Sequence, residues 1–146
     1  MNETENFSKP SYEELNYTDS YRKILLSKEP VLENGNQVAV INSYIYIPMK
    51  PMLLTADYMQ SVYEDEYLPS NGGYARLTGY FMYDYKTVSC YDTSVTHDLT
   101  DFKQKSLNIS GNGTSRSRAK LSFSFTSYLG TSNQTLSVSC TKDGKN

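Results

Sequence analysis

Along most of the chain, apolar and polar residues alternate with a period of two, the spacing of half-buried β-strands. The clearest stretch is Arg118–Leu129, where Ala119, Leu121, Phe123 and Phe125 alternate with Arg118, Lys120, Ser122 and Ser124. Gly130–Asn133 reads as the turn that follows, and Leu136–Cys140 alternates as regularly. Val38–Ile47 is β-branched and aromatic, apolar on both sides of Asn42 and Ser43, as a central strand is. Tyr74–Lys86 places Ala75, Leu77, Phe81 and Tyr83 on one face, with Gly79 marking a bulge or bend. Met52–Tyr63 and Val88–Thr96 read as further strands. Leu107 and Ile109 belong to another, ending at the hairpin signal Gly111-Asn112-Gly113.

The N-terminal third follows a different pattern. Residues 1–10 read as a disordered lead-in, and a single domain spans 11–146. Ser11-Tyr12-Glu13-Glu14 has capping-box spacing and predicts one N-terminal helix running to about Leu26, with Pro30 and Asn34-Gly35 closing the region. Glu64-Asp65-Glu66 and Pro69–Gly73 read as one long acidic turn. The predicted fold class is therefore mostly β: an antiparallel meander of about seven strands forming a small barrel or a sandwich, with one N-terminal α-helix. A helix followed by an up-and-down meander is similar in outline to small lipocalin-like barrels. That resemblance implies an internal cavity, although the family's Gly-x-Trp has no counterpart in a chain without tryptophan.

Composition sharpens the picture. The 146 residues include 14 Tyr, 19 Ser and 13 Thr, a bias that suits pleated surfaces. No apolar run approaches the length of a membrane helix. A net charge of −2 argues against a general nucleic-acid binder. Cys90 and Cys140 continue apolar strand faces, which predicts one disulfide between them and an extracytoplasmic location, periplasmic, cell-surface or secreted. Six Asn-x-Ser/Thr sequons, at Asn2, Asn6, Asn16, Asn108, Asn112 and Asn133, fit the same compartment. The polar start of the chain suits a tether whose leader or membrane anchor has been removed.

No motif names a reaction, and neither a cofactor nor a metal is implied. Thr96-His97-Asp98, with Asp101 nearby, is the one place where a histidine meets carboxylates. Adjacent strand residues point to opposite faces, so a polar loop is the better reading than a catalytic site. The acidic stretch Asp57–Glu66 lacks the alternating ligand pattern of a calcium loop. Charge asymmetry is more informative: residues 1–102 carry 15 acidic and 7 basic side chains, whereas residues 103–146 carry 1 and 7. Arg116, Arg118 and Lys120 form a row on one strand face and predict an anion site. Tyr44 and Tyr46 share a face of one strand, and Tyr83 and Tyr85 a face of another. Together with Tyr80 these tyrosines are candidates for contacting a partner or lining a cavity.

The resulting expectation is a non-enzymatic binding domain, an accessory or sensor subunit that pairs with a protein partner near a membrane and holds an amphipathic small molecule inside a barrel. Its candidate contacts are Tyr44, Tyr46, Tyr80, Tyr83, Arg116, Arg118 and Lys120. The rivals are a sugar-binding adhesin or pilus-type sandwich, an inhibitor or immunity protein using the acidic stretch, and a hydrolase using His97.

Overall fold

A computed structural model describes residues 21–48 and 58–146. Eight strands run in chain order: β1 (Tyr21–Glu33), β2 (Asn36–Pro48), β3 (Met59–Pro69), β4 (Ala75–Tyr83), β5 (Val88–His97), β6 (Lys103–Ser110), β7 (Arg116–Ser127) and β8 (Gly130–Thr141). The first five form one antiparallel sheet in the order β1-β2-β3-β4-β5, and the last three form a second in the order β6-β7-β8. Each sheet is a plain meander. The chain changes sheets once, through residues 98–102. Among the described residues no strand joins the two edges, so of the two expected alternatives the architecture is the open sandwich and the barrel is corrected.

Local chemistry accounts for the turns. Asn34 and Gly35, at φ of 52° and 81°, form the two-residue loop that joins β1 to β2 with Glu33 opposite Asn36. In the β4–β5 loop, Asp84 Oδ1 accepts the backbone N–H groups of Lys86 and Thr87, at 2.9 and 2.8 Å. At the β6–β7 turn, the Asn112 side chain reaches across the sandwich. Its Oδ1 accepts from the Cys90 backbone N–H at 2.9 Å and from Ser117 Oγ at 2.7 Å, tying the turn to β5.

The core lies between the sheets. Tyr63, Tyr67, Leu77, Phe81 and Val88 from the larger sheet meet Leu121, Phe123, Phe125, Leu136 and Val138 from the smaller. Tyr67 sits edge-on to both Phe123 and Phe125, with centroids 5.8 Å away in each case. The sheets approach closely at Gly79, where a Cβ would stand 2.7 Å from Val138 Cγ2. The expected irregularity falls one step further on. Tyr80 pairs with Asp92 and Phe81 with Cys90, leaving Tyr91 as the extra residue of a bulge in β5.

Several sequence expectations are corrected. Residues 21–26 are the start of β1, not the end of a helix, because the Asn-Gly turn folds them back onto β2; residues 1–20, with the capping box, lie outside the described residues. Glu64-Asp65-Glu66 is the middle of β3, since both of its neighbours in the sheet supply partners along its length. The strand expected at Met52 begins at Met59, and residues 52–57 are not among those described. Gly130–Asn133 opens β8; the turn is Tyr128-Leu129, two residues earlier.

Cys90 and Cys140 are free thiols, so the expected disulfide is also corrected. Both are buried, and each rests against a backbone carbonyl, Asp92 O at 3.3 Å and Thr141 O at 3.4 Å. Burial pushes the Cys90 thiol up to about 11 and the Cys140 thiol up to about 12. They pack as small apolar residues.

Candidate functional site

Cross-strand pairing settles which residues share the outer face of the five-stranded sheet. Lys23, Tyr46, Val62, Tyr80 and Asp92 form one row across it, and Asn42, Glu66, Arg76 and Thr96 form another. Between them lie Tyr44, Glu64 and Thr78. Tyr44, Tyr46 and Tyr80 are thus brought together by the fold.

The carboxylates among them are the organising groups. Glu64 is fully buried; its Oε2 lies 3.0 Å from Lys23 Nζ, and its Oε1 accepts from Tyr46 OH at 2.8 Å and Thr78 Oγ1 at 3.3 Å. Glu66 Oε2 lies 2.6 Å from Arg76 Nε, and its Oε1 accepts from Tyr44 OH at 3.3 Å. The Lys23 ammonium stands over the Tyr44 ring at 4.3 Å and the Tyr46 ring at 5.5 Å, and Arg76 stacks over Tyr74 at 4.0 Å. Burial and the Glu66 charge together hold the Tyr44 hydroxyl above the ordinary phenol range. Glu64 and Glu66 thus each have a counter-charge on this face, Lys23 and Arg76.

On the inner face of β3, Asp65 points between the sheets. It accepts from Ser43 Oγ at 2.6 Å and from the backbone of Ser137. Burial nevertheless raises its carboxyl to about 6, against the pull of those hydrogen bonds and helped by the charges of Glu29 and Glu64.

The outer face of the three-stranded sheet is built differently. Arg116, Arg118 and Lys120 project from alternate positions of β7 and are exposed, while Ser117, Ala119 and Leu121 face inward. Opposite the cations stand Thr141, Ser139 and Ser137 on β8 and Ser110 and Asn108 on β6. Arg116 Nη1 donates to Ser139 Oγ at 3.0 Å. Among the described residues, Arg118 and Lys120 form no ion pair. From Lys103 to Thr141 the sheet and its turns carry five basic residues and no aspartate or glutamate.

The candidate residues therefore divide into two groups on opposite sides of the sandwich. Tyr83 joins neither. It faces inward at the end of β4, edge-on to Tyr85 with centroids 5.3 Å apart, and Tyr85 lies in the following loop rather than on the strand. Lys23 and Arg76 were missed by the sequence reading, and Glu64 and Glu66 were read there as a solvated acidic turn. The signal for the glutamates was present in the i, i+2 spacing that continues from Val62, and the neighbouring aspartate masked it.

His97 stacks on Phe102, with ring centroids 3.8 Å apart. Asp98 Oδ1 accepts from the Tyr74 backbone N–H at 2.7 Å, and Asp101 Oδ2 from Thr126 Oγ1 at 3.0 Å. Each of the three residues has its own structural partner. A cleft of about 410 Å³ lies at the end of the sandwich between Asp101, Phe102, Lys103, Ser124, Phe125, Thr126 and Thr131. No group of three metal-ligating His, Cys, Asp or Glu residues occurs among the described residues. Comparison with protein-family models, curated proteins and solved structures gave no match.

Proposed function

We propose that this chain is a non-enzymatic binding domain that engages an anionic partner through the outer face of its three-stranded sheet. One observation carries the reading: Arg116, Arg118 and Lys120 are exposed in a single row, on a sheet with no carboxylate to neutralise them. Opposite charges attract over several ångströms even in water, so such a face raises both the encounter rate and the orientation of an anionic partner. The open sandwich removes the support for an amphipathic molecule held inside a barrel. The extracytoplasmic part of the reading rests on the sequons, since the thiols no longer contribute.

Retention on a sulfonate or phosphate cation-exchange matrix at pH 7 tests the proposal. A chain of net charge −2 has no global reason to bind such a matrix, whereas a local cationic face does. We expect retention at low salt, and its loss in the variant Arg116→Ser/Arg118→Ser/Lys120→Ser. Wild-type protein that passes straight through, or a variant retained as strongly, overturns the reading.

A further inference from the structure

We infer that the partner of the cationic face is a linear anionic polysaccharide, sulfated or uronate-bearing; the inference rests on the anion-binding reading above. Three features of the face select this chemistry over other anions. The first is spacing. Alternate residues of a strand are about 6.8 Å apart, so Arg116, Arg118 and Lys120 present three positive charges along about 14 Å of a nearly straight line. An extended polymer with regularly repeated charges can follow such a line, and a single small anion can occupy only one point of it.

The second feature is the flanking chemistry. On β8 the row is bordered by Thr141, Ser139 and Ser137, and on β6 by Ser110 and Asn108, each directly opposite a cation. Hydroxyls and amides both donate and accept, which suits the hydroxyl-dense edges of sugar rings.

The third feature is what this face lacks. Protein interfaces are anchored by an apolar or aromatic centre, membrane surfaces by inserted apolar residues, and single-stranded nucleic acid by stacked rings. Arg116, Arg118, Lys120 and their cross-strand neighbours include none of these. Phe123 and Phe125 belong to the opposite, buried face of β7. The exposed Tyr128 and Leu129 sit at the hairpin tip, beyond the far end of the row. Asn108 stands opposite Lys120, so a glycan on its sequon would cover the row, and binding belongs to protein without one.

The test measures solution affinity of the full, unglycosylated chain for heparin, polyglutamate and phosphatidylserine vesicles at 50 and 200 mM salt. Heparin is expected to bind at least tenfold more tightly than the other two. Three displaced counterions predict a loss of about 20- to 40-fold in affinity between the two salt concentrations. Arg116→Ser/Arg118→Ser/Lys120→Ser should abolish heparin binding while leaving the circular dichroism spectrum unchanged. Equal or tighter binding to polyglutamate or vesicles overturns the polysaccharide inference and leaves the anion-binding reading standing. Heparin binding that survives the triple substitution removes the row as the site. Absence of binding to all three probes at 50 mM salt overturns both.

Discussion

The two outer faces of this sandwich obey the same strand alternation and dispose of charge in opposite ways. On the five-stranded sheet, Glu64 and Glu66 are buried beside Lys23 and Arg76, and each accepts a hydrogen bond from a tyrosine hydroxyl. On the three-stranded sheet, Arg118 and Lys120 are exposed and have no ion-pair partner among the described residues. Removing a partner from a buried pair leaves a desolvated charge behind, which is costly. Removing an exposed, unpaired cation leaves nothing stranded. The first face is therefore a structural element that happens to be charged. The second contributes little to folding, and its charge remains available to another molecule.

The largest effect should come from breaking the internal pairing of the five-stranded sheet. Lys23→Met keeps the aliphatic stem and removes the ammonium that faces the fully buried Glu64. Removing one member of a buried pair costs about 3–5 kcal/mol, and the partial exposure of Lys23 places the expected loss near about 3 kcal/mol in urea unfolding. Glu64→Gln in the same background should recover part of that loss, because an amide needs no counter-charge. If Lys23→Met unfolds within about 0.5 kcal/mol of wild type, the two faces do not differ in the way described.

A smaller effect, of opposite sign, is expected at Asp65. Its carboxyl titrates at about 6 in the fold, raised chiefly by burial from an ordinary value of 3.8. Between those two values the folded protein holds a proton that the unfolded chain has released. Stability should accordingly fall as pH rises from about 4 to about 6 and then level off. Two pH units correspond to at most about 3 kcal/mol. Asp65→Asn keeps an acceptor for Ser43 and Ser137 and carries no charge, so it should stabilise the protein at pH 7 by about 1–2 kcal/mol and flatten this dependence. Denaturant melts of both proteins at pH 4.5 and 7 measure it. A variant less stable than wild type at pH 7 would show that the ionised carboxylate is useful where it stands.

How far each face was legible depends on how local its cause is. β7 was readable because its alternation is complete within one strand, and the row Arg116, Arg118, Lys120 follows from that alternation alone. β3 was not readable. Three consecutive acidic residues have the local signature of a solvated turn, and only the cations supplied by β1 and β4 make a buried strand tolerable there. The start of β1, Tyr21 to Leu26, was misread as the end of a helix for a related reason. Most of its residues are exposed, which leaves no clean period, and its conformation is imposed by the Asn34-Gly35 turn and by pairing with β2. Barrel and sandwich share strand count and alternation; closure depends on how the edge strands pair. The thiol pair was correctly placed on inward faces, but facing the same core does not bring two sulfurs to bonding geometry.

The smallest expected effect is the one that most sharpens the contrast between the faces. Arg116→Ser/Arg118→Ser/Lys120→Ser removes three like charges that lie about 6.8 Å apart. Their mutual repulsion in water opposes folding slightly, while their aliphatic stems and the Arg116–Ser139 hydrogen bond favour it slightly. Serine at these positions also replaces long side chains that cover part of the outer face of the sheet. The terms nearly cancel, and the net change in unfolding free energy should stay within about 0.5 kcal/mol. A loss of about 2 kcal/mol or more would mean that the cations are held by the fold as firmly as those of the other face, and that they are structural too. A change within the expected range, together with lost retention on the anionic matrix, would separate binding from stability in the same three residues.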